Sequence, residues 1–224
     1  MMNRRNVILG GLAVVGLGGW GLSRLTAPGS TPVSLPMGAA SAQTADVDTS
    51  GIVEMVLGNP EAPVEVIEYA SFTCPHCANF HADAYKQLKR DFIDTDKIRF
   101  VYREVYFDRP GLWASMIARC GGEEKFFGIA DMIYAAQSDW ARQSSPAAIA
   151  QSLGKIGRLA GIDGDTLDAC LQDADKAQAL VAWFEQNATA DGIESTPSFV
   201  INGTRYKNMA YPDLKEIIEG EMDS

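Results

Sequence analysis

The sequence predicts an α/β fold in which a helical subdomain interrupts a sheet domain. Residues 64–70 and 98–106 are rich in β-branched and aromatic side chains and flank a helical pattern at residues 75–93. This order is typical of a right-handed β-α-β unit with parallel strands. From residue 113 to residue 190 the pattern is helical, and strand-like segments return only near residue 199.

The first 50 residues carry the features of an export signal followed by a leader. Two adjacent arginines precede an uncharged apolar run at residues 7–22, which holds six glycines in 16 positions. A small-residue Ala-Ser-Ala pattern ends at Ala42, as at signal-peptidase sites. We therefore predict a signal peptide at residues 1–42 and a flexible leader at residues 43–50.

An uncleaved membrane anchor is the alternative for this segment. Sixteen glycine-rich residues are fewer than the roughly 20 that span a bilayer, so we favour cleavage near Ala42 and a periplasmic or otherwise exported protein. Without cleavage the chain would stay attached to the membrane. The paired arginines also resemble a twin-arginine signal but occur in ordinary signals too, so the export route stays open.

Composition points to one well-buried domain, with or without a subdomain. The 224 residues are 46% apolar and 21% charged, which is neither disordered nor fibrous in character. The formal net charge is −10, and it would become −13 on cleavage because three arginines and no acids are lost. Such acidity opposes nucleic-acid binding and favours a soluble monomer.

The remaining elements divide the folded part into three segments. Residues 51–107 would form the first half of the sheet domain, residues 108–191 the inserted helical subdomain, and residues 192–224 the second half. The predicted strands are residues 52–57, 64–70, 98–106, 198–201 and 205–208, and the predicted helices are residues 75–93, 113–120, 123–137, 146–159, 165–172, 175–190 and 212–222.

The stretch Cys74-Pro75-His76-Cys77 carries the candidate chemistry. It follows a predicted strand and opens a helix, so the Cys74 sulfur would lie where free backbone N–H groups and the macrodipole stabilise negative charge. Pro75 suits the first helical turn, His76 offers a cationic partner, and Cys77 is the resolving thiol. A stabilised thiolate favours the reduced pair, so its disulfide is expected to be an oxidant.

On two stretches the chain resembles the DsbA-like thiol:disulfide oxidoreductases of the thioredoxin superfamily. These are residues 68–77, Glu-Tyr-Ala-Ser-Phe-Thr-Cys-Pro-His-Cys, and residues 195–203, Ser-Thr-Pro-Ser-Phe-Val-Ile-Asn-Gly. The resemblance implies a thioredoxin fold with an inserted helical subdomain. It also implies a cis-proline at Pro197 opposite the cysteines, substrate-binding backbone groups at Thr196, and a buried acid, Glu68, that assists proton transfer at the inner cysteine.

The residues alone leave simpler structural interpretations open for Pro197 and Glu68. Pro197 could start a strand in the trans form, since few X–Pro bonds are cis. Glu68 is flanked by apolar residues and would be desolvated in a strand that is buried on both faces. On an exposed face it would be an ordinary acid.

Cys74 and Cys77 could instead form a static disulfide or part of a zinc site, with His81 one turn after Cys77. No fourth ligand is evident, because His76 and His81 are the only histidines and the other cysteines lie far along the chain. We therefore favour redox chemistry that needs no metal or organic cofactor. His81 is interpreted as a packed or surface helix residue rather than a ligand or base.

Cys120 and Cys170 are expected to form a second, structural disulfide. An exported protein meets an oxidising compartment, where an even cysteine count tends to pair. Acids near Cys170 would raise the pKa of a thiol, so neither residue has the surroundings of a nucleophile. Two buried free thiols are the alternative. Some DsbA-like proteins carry such an extra pair, and this resemblance supports the bridge.

Together these interpretations predict an exported thiol:disulfide oxidoreductase that donates the Cys74–Cys77 disulfide to unfolded, newly exported proteins. The resemblance implies reoxidation by a quinone-linked membrane partner. One alternative is a reductase or isomerase in the same compartment, although isomerases of the superfamily carry a dimerisation domain that the leader has no pattern to form. Another is a non-catalytic metal-binding or chaperone module that uses Cys74, Cys77 and His81.

Overall fold

A computed structural model describes residues 47–223, so the predicted signal peptide and the first half of the leader, residues 43–46, lie outside the described residues. Within this range no helix combines the length and the apolarity needed to cross a membrane. The strands are β1 Met55–Gly58, β2 Val64–Ala70, β3 Ile98–Glu104, β4 Ser198–Ile201 and β5 Thr204–Lys207. The helices are α1 Pro75–Ala82, α2 Ala84–Leu88, α3 Arg109–Cys120, α4 Glu123–Ala135, α5 Gln137–Trp140, α6 Pro146–Leu159, α7 Gly164–Gln172, α8 Ala174–Ala190 and α9 Tyr211–Met222, and a π-helical turn, Lys89–Ile93, follows α2.

The five strands form one mixed sheet in the order β1-β3-β2-β4-β5. β2 and β3 are parallel, as the β-α-β pattern predicts, and the other three neighbouring pairs are antiparallel. Helices α3 to α8 lie between β3 and β4 in the chain. The predicted α/β fold class is therefore confirmed, with β2 at the centre of the sheet and running towards Cys74.

Alternation along β2 decides which side chains face the active-site helix. Successive residues of a strand point to opposite faces. Val66 and Ala70 belong to the larger hydrophobic core, which also contains Cys77, whereas Ile67 and Tyr69 belong to a smaller cluster. Glu68 has the parity of Val66 and Ala70, and this places a fully buried carboxyl group on the face that holds Cys77.

The predicted helix over residues 75–93 is wrong in its continuity. Asp83 has φ −133° and ψ −76°, far from helical values, and separates α1 from α2. Its carboxylate accepts a hydrogen bond from Gln87 at 3.0 Å. This i, i+4 pair supports the first turn of α2, and apolar periodicity carries no signal for a break at one residue.

Two predicted helices also differ from the observed ones at their ends. The helix predicted from residue 113 begins earlier, at Arg109, because the Asp108 carboxylate accepts a hydrogen bond from the Gly111 backbone at 2.8 Å. The helix predicted over residues 123–137 ends at Ala135 and is followed by the short α5. This break places Gln137 at the start of α5.

A buried ion pair ties α3 to the end of β3. Arg119 donates from Nε and Nη2 to the two carboxylate oxygens of Glu104, at 2.6 and 2.7 Å. Ser115 donates to the same carboxylate at 2.8 Å. The Arg119 guanidinium also lies 5.6 Å from the Phe126 ring and 5.7 Å from the Trp183 ring. Glu104 is 1% exposed, so both charges depend on this pairing.

Candidate active site

Cys74 is the N-terminal cap of α1, with Pro75 as the first helical residue. Both Cys74 and Cys77 are free thiols, so the reduced form of the pair is described. Cys74 is 8% exposed, whereas Cys77 is completely buried one turn deeper. The predicted strand-loop-helix arrangement therefore places Cys74 just below the surface and Cys77 deeper in the core.

Several hydrogen bonds lower the pKa of Cys74 to about 5. The largest contribution is the hydrogen bond from the Cys77 thiol, followed by the hydrogen bond from Thr196 and the backbone N–H groups of Cys77 and His76, while burial opposes them. The His76 side chain is exposed and makes no hydrogen bond or ion pair with any residue in the described range. The contribution of His76 to the lowered pKa of Cys74 comes from its backbone N–H.

Cys77 is shifted in the opposite direction. Burial raises the pKa of its thiol most, and the hydrogen bond to Cys74 and the negative charge of Glu68 raise it further. At neutral pH the reduced site therefore holds an outer thiolate at Cys74 and an inner protonated thiol at Cys77.

The segment at Thr196 and Pro197 lies beside the outer thiol. The Thr196–Pro197 peptide bond is cis, and the Cys74 sulfur lies 3.5 Å from the Thr196 carbonyl oxygen. The Thr196 hydroxyl is buried and makes no hydrogen bond in the described part of the chain as it stands, so it must turn towards Cys74 to stabilise the thiolate. It is therefore free to donate to the thiolate, in agreement with its contribution to the pKa of Cys74.

Glu68 is fully buried and bound to His81. The Nε2 atom of His81 lies 3.1 Å from each carboxylate oxygen of Glu68. His81 is 5% exposed and stacks on the Tyr134 ring at a centroid distance of 4.3 Å. The interpretation of His81 as a packed residue agrees with this burial, but the sequence assigned it no partner. The i, i+4 spacing of Cys77 and His81 indicated that both side chains lie on the same face of α1, and this was the one sequence signal for a place of His81 near the site.

Gln137 is a site residue that sequence reasoning missed. Its side-chain Nε2 donates to the carbonyl oxygens of Phe72 and Cys74, at 2.8 and 2.9 Å. These bonds connect α5 to the loop that presents the outer thiol. Because Cys74 and Gln137 are 63 positions apart, no local pattern could reveal the contact.

Cys120 and Cys170 are joined by a disulfide bond, with their Cα atoms 6.0 Å apart. The bond connects the end of α3 to α7 and spans a sequence separation of 50. The Cys120–Cys170 disulfide is therefore distinct from the Cys74–Cys77 thiol pair. The part of the chain that the structure describes contains no cluster of three or more histidine, cysteine, aspartate or glutamate residues arranged to hold a metal ion, so the metal-binding alternative lacks a ligand set there.

A family model described as Thioredoxin matches residues 50–220. Among curated proteins, one provisionally named a protein-disulfide oxidoreductase, from Rickettsia prowazekii, is 34% identical over 171 residues, which are 76% of this chain and 62% of that protein. Disulfide bond formation protein D from Bacillus subtilis is 28% identical over 179 residues, 75% of this chain and 76% of that protein. This chain thus spans about three fifths of the length of its Rickettsia relatives.

Two solved structures share the architecture. The crystal structure of Wolbachia pipientis alpha-DsbA1 matches with a TM-score of 0.71 and 25% identity, covering 76% of this chain and 91% of that chain. Oxidised BdbD from Bacillus subtilis matches with a TM-score of 0.68 and 25% identity, covering 76% of this chain and 94% of that chain. These similarities confirm the predicted thioredoxin fold with inserted helices.

Proposed function

Because this chain belongs to the thioredoxin family and is related within it to the DsbA proteins, we propose that it is an exported thiol:disulfide oxidoreductase that donates disulfides. The observation that carries this proposal is the opposite shift of two adjacent thiols. The pKa of Cys74 is lowered to about 5, whereas burial raises that of Cys77. A stabilised Cys74 thiolate favours the reduced pair, which makes the Cys74–Cys77 disulfide oxidising.

The reaction starts from the oxidised pair. A substrate thiolate attacks the Cys74 sulfur, forms a mixed disulfide and releases Cys77 as a thiolate, which takes up a proton. A second substrate thiolate then attacks the substrate sulfur bound to Cys74 and expels the Cys74 thiolate. The substrate thus gains one disulfide, and the enzyme keeps the two electrons as a reduced pair.

Substrate binding is assigned to the backbone beside Thr196 and Pro197. The Thr196 carbonyl lies 3.5 Å from the Cys74 sulfur, so an extended chain bound there would present its own sulfur to Cys74. Backbone hydrogen bonds of this kind accept many sequences, since they require an extended segment and not particular side chains. This arrangement suits unfolded proteins as substrates.

The cellular setting completes the proposal. Export would follow from the predicted signal at residues 1–42, and a membrane-bound partner would reoxidise the reduced pair. No metal or organic cofactor takes part in these exchange steps. The helical segment at residues 108–191 would act as a subdomain that supports the active-site loop, with Gln137 as one contact.

Equilibration of the purified protein with glutathione redox buffers tests the proposal. We expect the Cys74–Cys77 pair to be reduced at glutathione ratios that leave ordinary structural disulfides oxidised. We also expect the oxidised protein to restore activity to reduced, unfolded ribonuclease. The Cys74→Ser variant serves as the inactive control. A strongly reducing pair that cleaves insulin disulfides would instead identify a reductase, and preferential repair of scrambled ribonuclease would identify an isomerase.

A further inference from the structure

Three ionisable side chains from three elements form a row, and the charge of its innermost member, Glu68, acts on Cys77. Glu68 of β2 is fully buried, and both of its carboxylate oxygens contact His81 Nε2 on α1 at 3.1 Å. On the other side of the imidazole, Nδ1 lies 4.0 Å from a carboxylate oxygen of Asp131 on α4. The Asp131 side chain is 54% exposed, so the row runs from a buried acid to a solvent-facing one.

The His81 Nδ1 atom is buried and lacks a hydrogen-bond partner among residues 47–223. A distance of 4.0 Å to Asp131 is too long for a direct hydrogen bond, so a proton can pass between the two only when the half-exposed Asp131 side chain moves closer or a water enters between them. His81 and Asp131 also line an open cavity of about 510 Å³. His81 therefore carries a buried, unpaired nitrogen beside a cavity that is lined by both polar and apolar side chains.

Other titratable and charged side chains lie around the His81 imidazole and the neighbouring cavity. Tyr134 stacks on His81 at 4.3 Å, and the Tyr85 and Tyr102 rings lie at 4.4 and 5.9 Å. These phenols are poor proton donors here because burial raises the pKa of each. Lys86 and Arg142 line the cavity and bring positive charge near Asp131.

Cys77 needs such a route because it is completely buried. When the disulfide opens, Cys77 leaves as a thiolate, and burial disfavours that charge. Unless it is protonated, Cys77 can attack Cys74 again and expel the substrate. During reoxidation the protonated Cys77 must lose its proton before it can attack the mixed disulfide at Cys74.

We propose that His81 and Asp131 connect the buried acid Glu68, whose part in proton transfer the family resemblance already implies, to solvent and so complete a proton relay from Cys77, in which His81 is a positioning and relay residue. When Cys77 leaves, a proton passes from Glu68 to its sulfur, and His81 reloads Glu68 with a proton drawn from the cavity past Asp131. During reoxidation each transfer runs in reverse. The inference rests on the proposed function, because it assigns a step of that reaction.

A reaction of the reduced protein with an excess of an aromatic disulfide separates the two thiols. The Cys74 thiolate releases the first aromatic thiolate and forms a mixed disulfide. Cys77 then gives its proton to the relay, attacks the Cys74 sulfur and releases a second aromatic thiolate. Stopped-flow absorbance resolves the two releases, so the second rate reports the relay and the first reports Cys74 alone.

We expect His81→Gln to slow the second release by about 10- to 100-fold, the range typical of lost acid–base assistance, and to leave the first unchanged. Asp131→Asn should slow the second release less than His81→Gln does and should flatten the pH dependence of that second rate. Asp139→Asn, which removes an exposed acid from the neighbouring helix α5, is the matched control and should behave as wild type. In His81→Ala, added imidazole should restore the second release through the cavity.

The opposite results would overturn either the relay or the proposed function. An unchanged second release in folded His81→Gln, or equal slowing of both releases, overturns the relay, as does equal slowing by Asp139→Asn. If the His81 variants fail to fold, the decision passes to Asp131→Asn, whose half-exposed site tolerates the change, and an unchanged second rate there overturns the relay. A wild-type protein that gives no first release would contradict the proposed function instead.

Discussion

Gln137 donates a hydrogen bond to the carbonyl oxygen of Cys74 at 2.9 Å, so the helices inserted between β3 and β4 help to hold the outer thiol in place. The same side chain donates to the carbonyl oxygen of Phe72 at 2.8 Å. One residue of the insert thus satisfies two acceptors of the active-site loop.

Gln137→Ala should lower the free energy of unfolding by about 1–2 kcal/mol, because two partly buried carbonyl groups lose their donor. Denaturant unfolding of the reduced protein measures this loss. Gln143→Ala is the matched control, since the Gln143 amide donates to the Asp139 carbonyl at an exposed site. An equal loss in both variants would contradict the assigned role of Gln137.

Thr196→Val should raise the pKa of Cys74 by about one unit, because the thiolate loses one hydroxyl donor. The ultraviolet absorbance of the thiolate, followed against pH, measures the change. Thr196→Ser keeps the hydroxyl and should titrate close to wild type. If the valine variant titrates like wild type, the Thr196 hydroxyl does not stabilise the thiolate.

The stability of the reduced protein should depend on pH through Cys74. Its pKa is lowered from 9.0 to about 5, so the stabilisation is complete above about pH 9 and is lost as the pH falls through about 5. Cys77 stays protonated in this window because burial raises its pKa. The advantage in melting temperature of the reduced over the oxidised protein should therefore shrink from pH 9 to pH 5. A constant advantage, or one that grows, would show that folding does not lower the pKa of Cys74.

Arg119→Met should destabilise the protein by about 3–5 kcal/mol, since it leaves the buried Glu104 carboxylate without its cation. Arg99→Met provides the control, because Arg99 pairs with Glu54 and Glu65 at a partly exposed site, where ion pairs contribute about 0–1 kcal/mol. Thermal or denaturant unfolding of both variants makes the comparison. Similar losses of stability in the two variants would mean that burial does not set the contribution of the Arg119–Glu104 pair to folding.

Replacing Cys120 and Cys170 together by serine should lower the melting temperature without slowing the oxidase reaction at permissive temperature. The disulfide spans a separation of 50 residues, which corresponds to roughly 4 kcal/mol on the chain-entropy model. Thiol counting of the oxidised, denatured wild type should find no free thiol. A folded double variant that has lost oxidase activity would reveal a redox role for this pair.

The sequence by itself determined the elements whose signals are local. An apolar run rich in β-branched and aromatic residues, helical periodicity and the Cys-Pro-His-Cys stretch located β2, α1 and the two thiols, because each signal depends on neighbours within a few positions. The helix break at Asp83 escaped prediction, since a single residue decided it.

Only the tertiary structure decided what surrounds the thiols. His81 meets Glu68 across 13 positions and Gln137 reaches Cys74 across 63, whereas the approach of Thr196 to Cys74 across 122 positions was expected from the family resemblance and not from any local pattern. Such contacts leave no periodic pattern, because they arise when the sheet, α1 and the inserted helices pack together. The sequence therefore identified the two thiols that the proposed reaction uses, whereas packing decided their burial and their hydrogen-bond partners.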